Sequence, residues 1–311
     1  TYMADEKFQA AIPFLNNVIS APQNTGFKQS ALLQLGVCYF NLNKRQEALD
    51  QYKKLLQQFP NSEEAAFALE NIRDIYVEMG KPQEYETFIR STGKNISPSE
   101  ADSLAYAAVE VKINNNDCAG AIEQITNYLS RFPNGANAID AYYNRSECYM
   151  ARKDWKNALP GYEYVAQQGS SQYAEKSALI AARSYYFELK DYAKAQPYYE
   201  VLRSVAATDE SRLEALRGLL RCHYQLKEYK QAAEVAKDLL IAKGAGNDDK
   251  ALSNLVTGRN HQLNNAYDLA IQSYRAVVNL NKGEWAAEAR YEIAKCYFDP
   301  VSYTHLRAHE T

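Results

Sequence analysis

Residues 29–62 read QSALLQLGVCYFNLNKRQEALDQYKKLLQQFPNS, and the spacing within this stretch decides the fold of the chain. Apolar and small residues recur at helical intervals on both sides of a short polar turn at Asn43. Tyr39 lies nine residues before Ala48, and Tyr52 lies four residues after it. A small residue lets two helices approach closely, and a residue four positions later lies on the same helical face. The stretch therefore predicts a pair of packed helices.

The same arrangement recurs along the chain with a period of about 37 residues, which is typical of a solenoid built from one repeated unit. The small position is filled by Ala11, Ala48, Ala121, Ala158, Ala195, Ala232 and Ala270, with Tyr85 as the one exception. The position nine residues earlier, mostly tyrosine, is filled by Tyr2, Tyr39, Tyr76, Lys112, Tyr149, Tyr186, His223, His261 and finally Tyr297. Helix A of each unit carries the tyrosine position, and helix B carries the small position.

The first full unit resembles a tetratricopeptide repeat (TPR), because it carries the characteristic residues of that family at Leu35, Gly36, Tyr39, Ala48, Tyr52 and Pro60. The resemblance implies an all-α TPR superhelical solenoid of antiparallel helix pairs, with about seven full repeats and half-repeats at both ends. It implies one continuous solenoid over residues 1–299. It also implies a non-enzymatic protein-interaction scaffold, although the family is defined by packing and serves many partners.

Two connections are similar to the repeats of bacterial cell-envelope TPR proteins, such as outer-membrane-assembly lipoproteins and Tol–Pal-associated coordinators. They read LQQFPNS at residues 56–62 and LSRFPNG at residues 129–135. This resemblance implies a role in envelope assembly and a periplasmic or envelope location. The net charge of −3 gives no attraction to nucleic acid, and no apolar run approaches the roughly 20 residues of a membrane span. We therefore expect a protein or peptide partner.

Local signals predict where several helices begin. Ser97 followed by Pro98 and Glu100 reads as a capping box with proline at the first helical position. Prolines also follow the small position by two residues in three repeats, at Pro13, Pro160 and Pro197. We expect helix B to begin late enough in these repeats to leave each proline in its first turn.

The five cysteines fall on repeat positions. Cys38, Cys148, Cys222 and Cys296 each precede the tyrosine position, and Cys118 lies three residues before the small position of its repeat. The four equivalent cysteines are never in adjacent repeats, and helix spacing exceeds the reach of a disulfide. The pattern predicts five free, buried, structural thiols.

Both ends of the chain depart from the repeat. Residues 300–311 abandon the pattern in mid-turn and are predicted to be a non-native tail, so that His305 and His309 are not expected to bind metal. The first helix, from about Asp5 to Ser20, and a last helix A, from Trp285 to Phe298, lack repeat partners. We therefore expect a fragment of a longer array, which associates with itself through its uncovered ends.

No catalytic or cofactor motif is present in the sequence, which contains no phosphate-binding glycine loop, nucleophile elbow or Cys-x-x-Cys pair. His223 and His261 occupy the tyrosine position and are predicted to be packed side chains. An enzyme, a metal protein and a cofactor-binding protein are therefore not expected. A glycan-binding module of a TPR-containing surface lipoprotein is the alternative function, and it requires exposed, paired aromatic side chains.

The predicted partner-binding surface is the inner face of the array, which helix A builds in TPR proteins. It carries acidic residues in the early and middle repeats, basic residues in the later repeats and apolar residues between them. The predicted groove residues are Glu70, Asp74, Glu110, Tyr143, Glu147, Met150, Phe187, Arg217, Arg221, Tyr224, Arg259 and Lys295. We expect Arg217 and Arg221 to be accessible to solvent and to meet an acidic segment of the partner. A charged solvent face without a binding role is the alternative.

Overall fold

The computed structural model of the chain describes residues 2–22, 26–169, 171–280 and 283–308, and within these ranges the side chains of residues 7–298. The described residues form sixteen α-helices and one π-helical segment, and they contain no strand. They divide into two compact units, Thr1–Ala141 and Tyr142–Thr311. The division falls inside a helix that spans Ala138–Ala151.

The first unit consists of stacked helix pairs. Its helices are α1 (Tyr2–Ser20), α2 (Phe27–Asn41), α3 (Arg45–Gln58), α4 (Glu63–Glu78), α5 (Pro82–Ser91), α6 (Pro98–Asn114) and α7 (Cys118–Arg131). Each of α2, α4 and α6 packs against the helix B that follows it, and α4 also contacts both α2 and α6. Each helix A therefore lies between its own helix B and the helix A of the neighbouring repeat.

The second unit continues the same arrangement from within α8 (Ala138–Ala151). Its helices are α9 (Trp155–Gln167), α10 (Ala174–Arg183), α11 (Tyr192–Val205), α12 (Asp209–Gln225), α13 (Tyr229–Ile241), α14 (Asn247–Leu263), α15 (Tyr267–Leu280) and α16 (Glu284–Ala308). Helices α9 to α16 pack consecutively, and α14 contacts both α12 and α16. Seven helix pairs thus lie between α1 and α16, which confirms the predicted all-α solenoid architecture.

The small position lies in the seam between helices, as predicted. Its alanines are at most 1% exposed in Ala48, Ala121, Ala158, Ala195, Ala232 and Ala270. The bulky residues four positions later are also at most 1% exposed in Tyr52, Ile125, Tyr162, Tyr199 and Tyr274. Burial of these side chains is the main favourable contribution to the free energy of folding, because apolar surface removed from water contributes about 25 cal/mol per Å².

Three of these tyrosines lie directly over a glycine of a helix A. A Cβ added to Gly258 would come within 2.5 Å of Cε1 of Tyr274, and one added to Gly36 would overlap the ring of Tyr52. The glycine thus provides the space in which the ring packs. Gly218 lies against Tyr199 in the same way, although Tyr199 belongs to helix B of the preceding repeat.

A residue in the left-handed backbone conformation ends helix A in every full repeat. The positive φ angles lie between 54° and 70° at Asn43, Gly80, Asn116, Lys153, Lys190, Lys227 and Asn265. The amide after it donates to a carbonyl in the last turn of helix A, as from Lys44 to Tyr39 at 2.8 Å. This is the Schellman arrangement, which satisfies carbonyls that the helix end leaves open. The backbone carbonyl of the tyrosine position therefore helps to fix the turn into helix B.

The predicted capping box is confirmed, and the predicted position of the prolines is wrong. Ser97 accepts from the Glu100 amide at 3.2 Å, and the Glu100 carboxylate accepts from the Ser97 amide at 2.8 Å. Pro160 and Pro197, however, lie inside α9 and α11, since these helices begin at Trp155 and Tyr192. Pro13 likewise lies inside α1. Each proline lacks the N–H that would donate to a carbonyl one turn earlier in the helix.

The terminal helices are longer than the repeat pattern predicts. Helix α1 begins at Tyr2 without a turn before Asp5, and α16 runs from Glu284 to Ala308 without a break at Phe298. The side chains of the expected tail, residues 300–311, lie outside the described residues. The same holds for a metal-binding role of His305 and His309. The non-native origin of the tail stays a prediction.

The cysteines correct one expectation. Cys38, Cys222 and Cys296 are free and buried, as predicted. Cys118 and Cys148 are both disulfide-bonded. The prediction compared only equivalent positions in different repeats, whereas Cys118 occupies a different position, on helix B. Five free thiols were therefore expected where the chain has three.

Replacement of Gly36 by alanine tests the packing of the tyrosine ring over helix A. An alanine in a helix is normally favoured over glycine by about 1 kcal/mol. Here the added methyl overlaps the Tyr52 ring, so we expect Gly36→Ala to lower the free energy of unfolding by about 1–2 kcal/mol. Gly26→Ala is the matched control, because nothing lies within 4 Å of its Cβ position. Urea titrations that find Gly36→Ala as stable as the control would contradict this packing.

Candidate functional site

Three of the four predicted basic residues of the second unit are paired within the fold. Arg217 on α12 donates through Nε and Nη2 to the two carboxylate oxygens of Asp249, at 2.8 and 2.7 Å. Asp249 lies in the first turn of α14 and also accepts from the amide of Gly246 at 2.8 Å. Its side chain is only 9% exposed. Arg217, which was expected to be accessible, is partly exposed, and Asp249 neutralises its charge.

The electrostatics of this pair follow from its contacts. Burial raises the pKa of the Asp249 carboxyl, but the bonds from Arg217 and Gly246 outweigh burial, and the pKa lies below its usual value. The pair therefore contributes its full stability above the unfolded-state pKa of about 4. That contribution is lost as the pH falls through the depressed folded-state pKa.

A second network joins α14 to α16. Nη2 of Arg259 lies 2.9 Å from Oε1 of Glu288, and Nη1 lies 2.8 Å from Oε2 of Glu292, which is 2% exposed. Tyr224 donates to Glu288 at 2.8 Å, and Lys295 lies 3.5 Å from Glu292. Burial and the bond to Glu288 raise the pKa of Tyr224. Acidic side chains of α16 thus neutralise both Arg259, on the preceding helix A, and Lys295, on α16 itself.

The predicted aromatic and acidic residues of α8 are also engaged within the second unit. Glu147 accepts from Tyr162 at 2.6 Å and from Lys176 at 2.9 Å, and Lys176 also donates to Tyr143 at 2.8 Å. Burial raises the pKa of Glu147, but these bonds outweigh it and lower the pKa overall. The ring of Tyr143 stacks on Tyr173 with centroids 4.0 Å apart. These aromatic faces cover each other.

Three predicted groove residues of the second unit remain more open. Met150 is half-buried near the end of α8. Phe187 is 40% exposed in the π-helical segment Ser184–Glu188, where the guanidinium of Arg183 lies 5.9 Å from its ring centre. Arg221 is half-buried and has no hydrogen bond or ion pair to a described residue. Its charge lowers the pKa of Asp249.

The predicted acidic residues of the first unit face solvent. Glu70 and Asp74 on α4, and Glu110 on α6, are all exposed. Glu70 and Glu110 have no ion pair to any described residue. Asp74 is contacted by its sequence neighbour Arg73, whose Nε and Nη2 donate to Oδ1 at 3.0 and 2.9 Å. This acidic face is defined by Glu70, Asp74 and Glu110.

A cleft of about 490 Å³ opens beside the acidic face, between α4, α5 and α6. Its walls combine polar and apolar side chains. The apolar part consists of Val77, Tyr85, Ile96, Leu104 and Ala107. The polar part consists of Arg73, Asp74, Ser99, Glu100 and Ser103. The cleft therefore contains both kinds of side chain that were predicted for the groove, an acidic residue at Asp74 and an apolar residue at Val77.

The cleft lies at the one repeat in which the small position is not alanine. Tyr85 fills that position and is half-buried, with its ring centre 6.4 Å from that of Tyr76. Helix α5 has 10 residues, whereas α3 and α7 each have 14. The cleft thus lies beside the first turn of a shortened helix B. Burial raises the pKa of Tyr85, with Asp74 and Glu100 as further causes and Arg73 opposing them.

Sequence reasoning missed the acidic partners of the basic residues. Asp249, Glu288 and Glu292 lie on the helix A that follows the arginine they bind. A signal was present, because opposite charges recur on successive helices A at intervals slightly shorter than the repeat. Ser30 and Glu64 are related in the same way, at 2.6 Å.

His223 packs as predicted for a residue in the tyrosine position. It is 4% exposed, and its Nδ1 lies 2.7 Å from Oε2 of Glu228. Among the described residues, no three His, Cys, Asp or Glu side chains lie close enough together to hold a metal ion. No helix in the described part of the chain is long and apolar enough to span a membrane.

Charge reversal at Arg217 tests whether the pairing is structural. We expect Arg217→Glu to lower the free energy of unfolding by about 3 kcal/mol at neutral pH, because the mostly buried Asp249 carboxylate would face a second negative charge. Arg221→Glu, one turn later, is the control and should cost no more than about 1 kcal/mol. The difference between the two variants should shrink as the pH falls below about 4 and through the depressed pKa of Asp249, where that carboxylate takes up a proton. Equal melting temperatures at pH 7 would rule out the structural role.

Comparison with known proteins agrees with this architecture. Sequence profiles described as tetratricopeptide repeat match residues 30–62, 106–174 and 182–248. No curated protein matches the sequence. Among solved structures, the C-terminal part of a TPR repeat-containing protein from Cytophaga hutchinsonii is 15% identical, with a TM-score of 0.37, and the match covers 83% of this chain and 98% of that one. A tetratricopeptide repeat protein from Parabacteroides merdae is 13% identical, with a TM-score of 0.29 and coverage of 87% and 99%. The family profiles match more than half of the chain, which therefore belongs to the tetratricopeptide repeat family.

Proposed function

We propose that this chain is a non-enzymatic scaffold that binds a basic segment of a partner protein on the helix-A side of its first unit. The tetratricopeptide repeat fold generally mediates protein–protein interaction. The observation that carries the finer proposal is the acidic face. Glu70 and Glu110 expose carboxylates that no side chain of the described fold neutralises. An exposed surface of one sign favours a partner of the opposite sign.

The charges of the second unit, which are mostly paired, support the choice of the acidic face as the binding surface. Its helix-A cations Arg217 and Arg259 already contact acidic side chains of the next repeat, and Lys295 contacts Glu292 on its own helix. A partner carboxylate would have to compete with these internal pairs, which costs more than binding a free charge. The proposal therefore places the charged contact with the partner on the acidic side. The binding role of the remaining predicted residues stays a prediction.

We further propose a bacterial cell-envelope location for the assembly that this scaffold serves. The resemblance of residues 56–62 and 129–135 to envelope repeats supports it. A second support is chemical, because Cys118 and Cys148 are disulfide-bonded. Disulfides persist in oxidising compartments such as the periplasm and are rare in the cytosol.

Glycan binding, the alternative function, gains no support from the stacked tyrosine pairs of the second unit. Tyr142 stacks on Tyr164 with centroids 3.9 Å apart, and Tyr143 stacks on Tyr173. A sugar ring needs an open aromatic face, whereas each ring of these pairs covers one face of the other. We therefore retain the scaffold as the proposed function.

Selection from a displayed library of random peptides tests the proposed charge preference. We expect the intact chain to enrich peptides with Lys or Arg, because the acidic face attracts cations. The double variant Glu70→Lys/Glu110→Lys should bind a selected peptide at least tenfold more weakly, with a flatter salt dependence.

The control has the same net charge. Glu47→Lys/Glu123→Lys changes two exposed acidic residues on helices α3 and α7, which are helices B. It should leave the affinity within about twofold. A selection without basic enrichment, or equal losses in the two double variants, would refute the proposed surface.

Thiol counting tests the oxidised state. Under denaturing conditions without reductant, we expect three reactive thiols per chain, from Cys38, Cys222 and Cys296. After reduction the count should rise to five. The measurement requires protein exported to an oxidising compartment, with cytosolic protein as the comparison. Five reactive thiols in the exported, unreduced protein would remove the chemical support for an envelope location.

A further inference from the structure

We infer that the cleft between α4, α5 and α6 binds a single arginine side chain of the partner segment. This inference rests on the proposed function and specifies the residue type that the acidic side recognises. The cleft belongs entirely to the first unit and has a volume of about 490 Å³.

Two carboxylates on the cleft wall are only partly neutralised. Both hydrogen bonds from Arg73 end on Oδ1 of Asp74, and Oδ2 has no hydrogen-bond partner among the described residues. The Glu100 carboxylate accepts hydrogen bonds from the backbone amide and the side chain of Ser97, which carry no charge. Arg73 therefore offsets only one of the two negative charges. A cation entering the cleft would meet one open oxygen on Asp74 and a second carboxylate without a cationic partner.

The rest of the cleft suits the stem of a long basic side chain. Val77, Ile96 and Leu104 provide apolar surface beside the carboxylates. Arginine and lysine bury their methylene stems on such surface while the charged group reaches polar atoms. Small polar ligands would leave these apolar side chains exposed, and an aliphatic ligand would leave the carboxylates unpaired.

The separate acceptors favour arginine over lysine. A guanidinium is planar and presents five donors in a fixed fork, so that one group can donate to two carboxylates at once. Lysine offers a compact point charge that binds water strongly. The half-buried Tyr85 lines the same cleft and adds an aromatic wall to it.

Methyl-selective NMR of the intact chain tests this assignment directly. The probes are the peptide acetyl-Ala-Leu-Arg-Leu-Ala-amide and the same peptide with citrulline, which has nearly the shape of arginine without the charge. We expect the arginine peptide to shift the methyl signals of Val77, Ile96 and Leu104 and to bind at least tenfold more tightly than the citrulline peptide. Equal shifts from the two peptides would overturn the inference.

Two variants locate the binding event. Asp74→Asn should reduce affinity for the arginine peptide at least fivefold, whereas Asp50→Asn, an exposed change on α3, should not alter it. Ser103→Trp should fill the cleft and abolish the shifts. If the chain selects basic peptides and loses them with Glu70→Lys/Glu110→Lys, but the cleft methyl groups do not respond, this inference fails and the proposed function stands. If basic peptides are not selected and the arginine peptide does not shift these methyl groups, both fail.

Discussion

The packing of one large side chain of helix B against helix A determines the rest of this structure. Where that side chain is Tyr52 or Tyr274, the ring lies over a glycine and touches backbone, so the two helices cannot slide without a clash. The alanine one turn earlier keeps the helices close at the other end of the contact. Every full repeat but one carries this alanine, buried between its helices. Each unit can then extend by adding pairs without forming a central core.

Charged side chains also connect each helix A of the second unit to the helix A of the next repeat. Helix A of one repeat carries a cation, and helix A of the next carries the acid that neutralises it, as in Arg217 with Asp249 and Arg259 with Glu288. These contacts connect two helices A that no turn or loop joins directly. They also explain why a charged helix-A surface is not automatically a binding surface. Side chains of the chain itself pair with most of the predicted cations there, and a ligand meets only the charges that remain.

The sequence was sufficient for the repeats because the fold depends on contacts close in sequence. The burial of Ala158 and Ala195, the capping box at Ser97 and the seven helix pairs all follow from local spacing. The pairing of Arg217 with Asp249 joins positions 32 residues apart, and periodicity alone does not fix which rotamers meet. The cleft could not be predicted either. Tyr85 indicated an irregular repeat. Only the structure shows that a cleft opens beside this residue, at a short helix B, where a steric clash was equally conceivable.

The packing of rings over glycines also bears on how such an array can evolve. A substitution at Gly36 requires that the Tyr52 ring shift or that the residue there become smaller, and a smaller residue leaves a void while glycine remains. The repeat that carries Ser146 at the glycine position shows one solution, since Gly161 on helix B leaves room for the serine hydroxyl, which donates to the Ala158 carbonyl at 2.8 Å. Such positions should covary among relatives. Gly218 and Tyr199 extend this dependence across a repeat boundary, because the glycine and the ring that packs on it belong to different repeats. Exchanging one repeat for its neighbour would therefore separate the glycine from its matching tyrosine. The order of the repeats is thus inherited as a unit, although each one looks interchangeable in sequence.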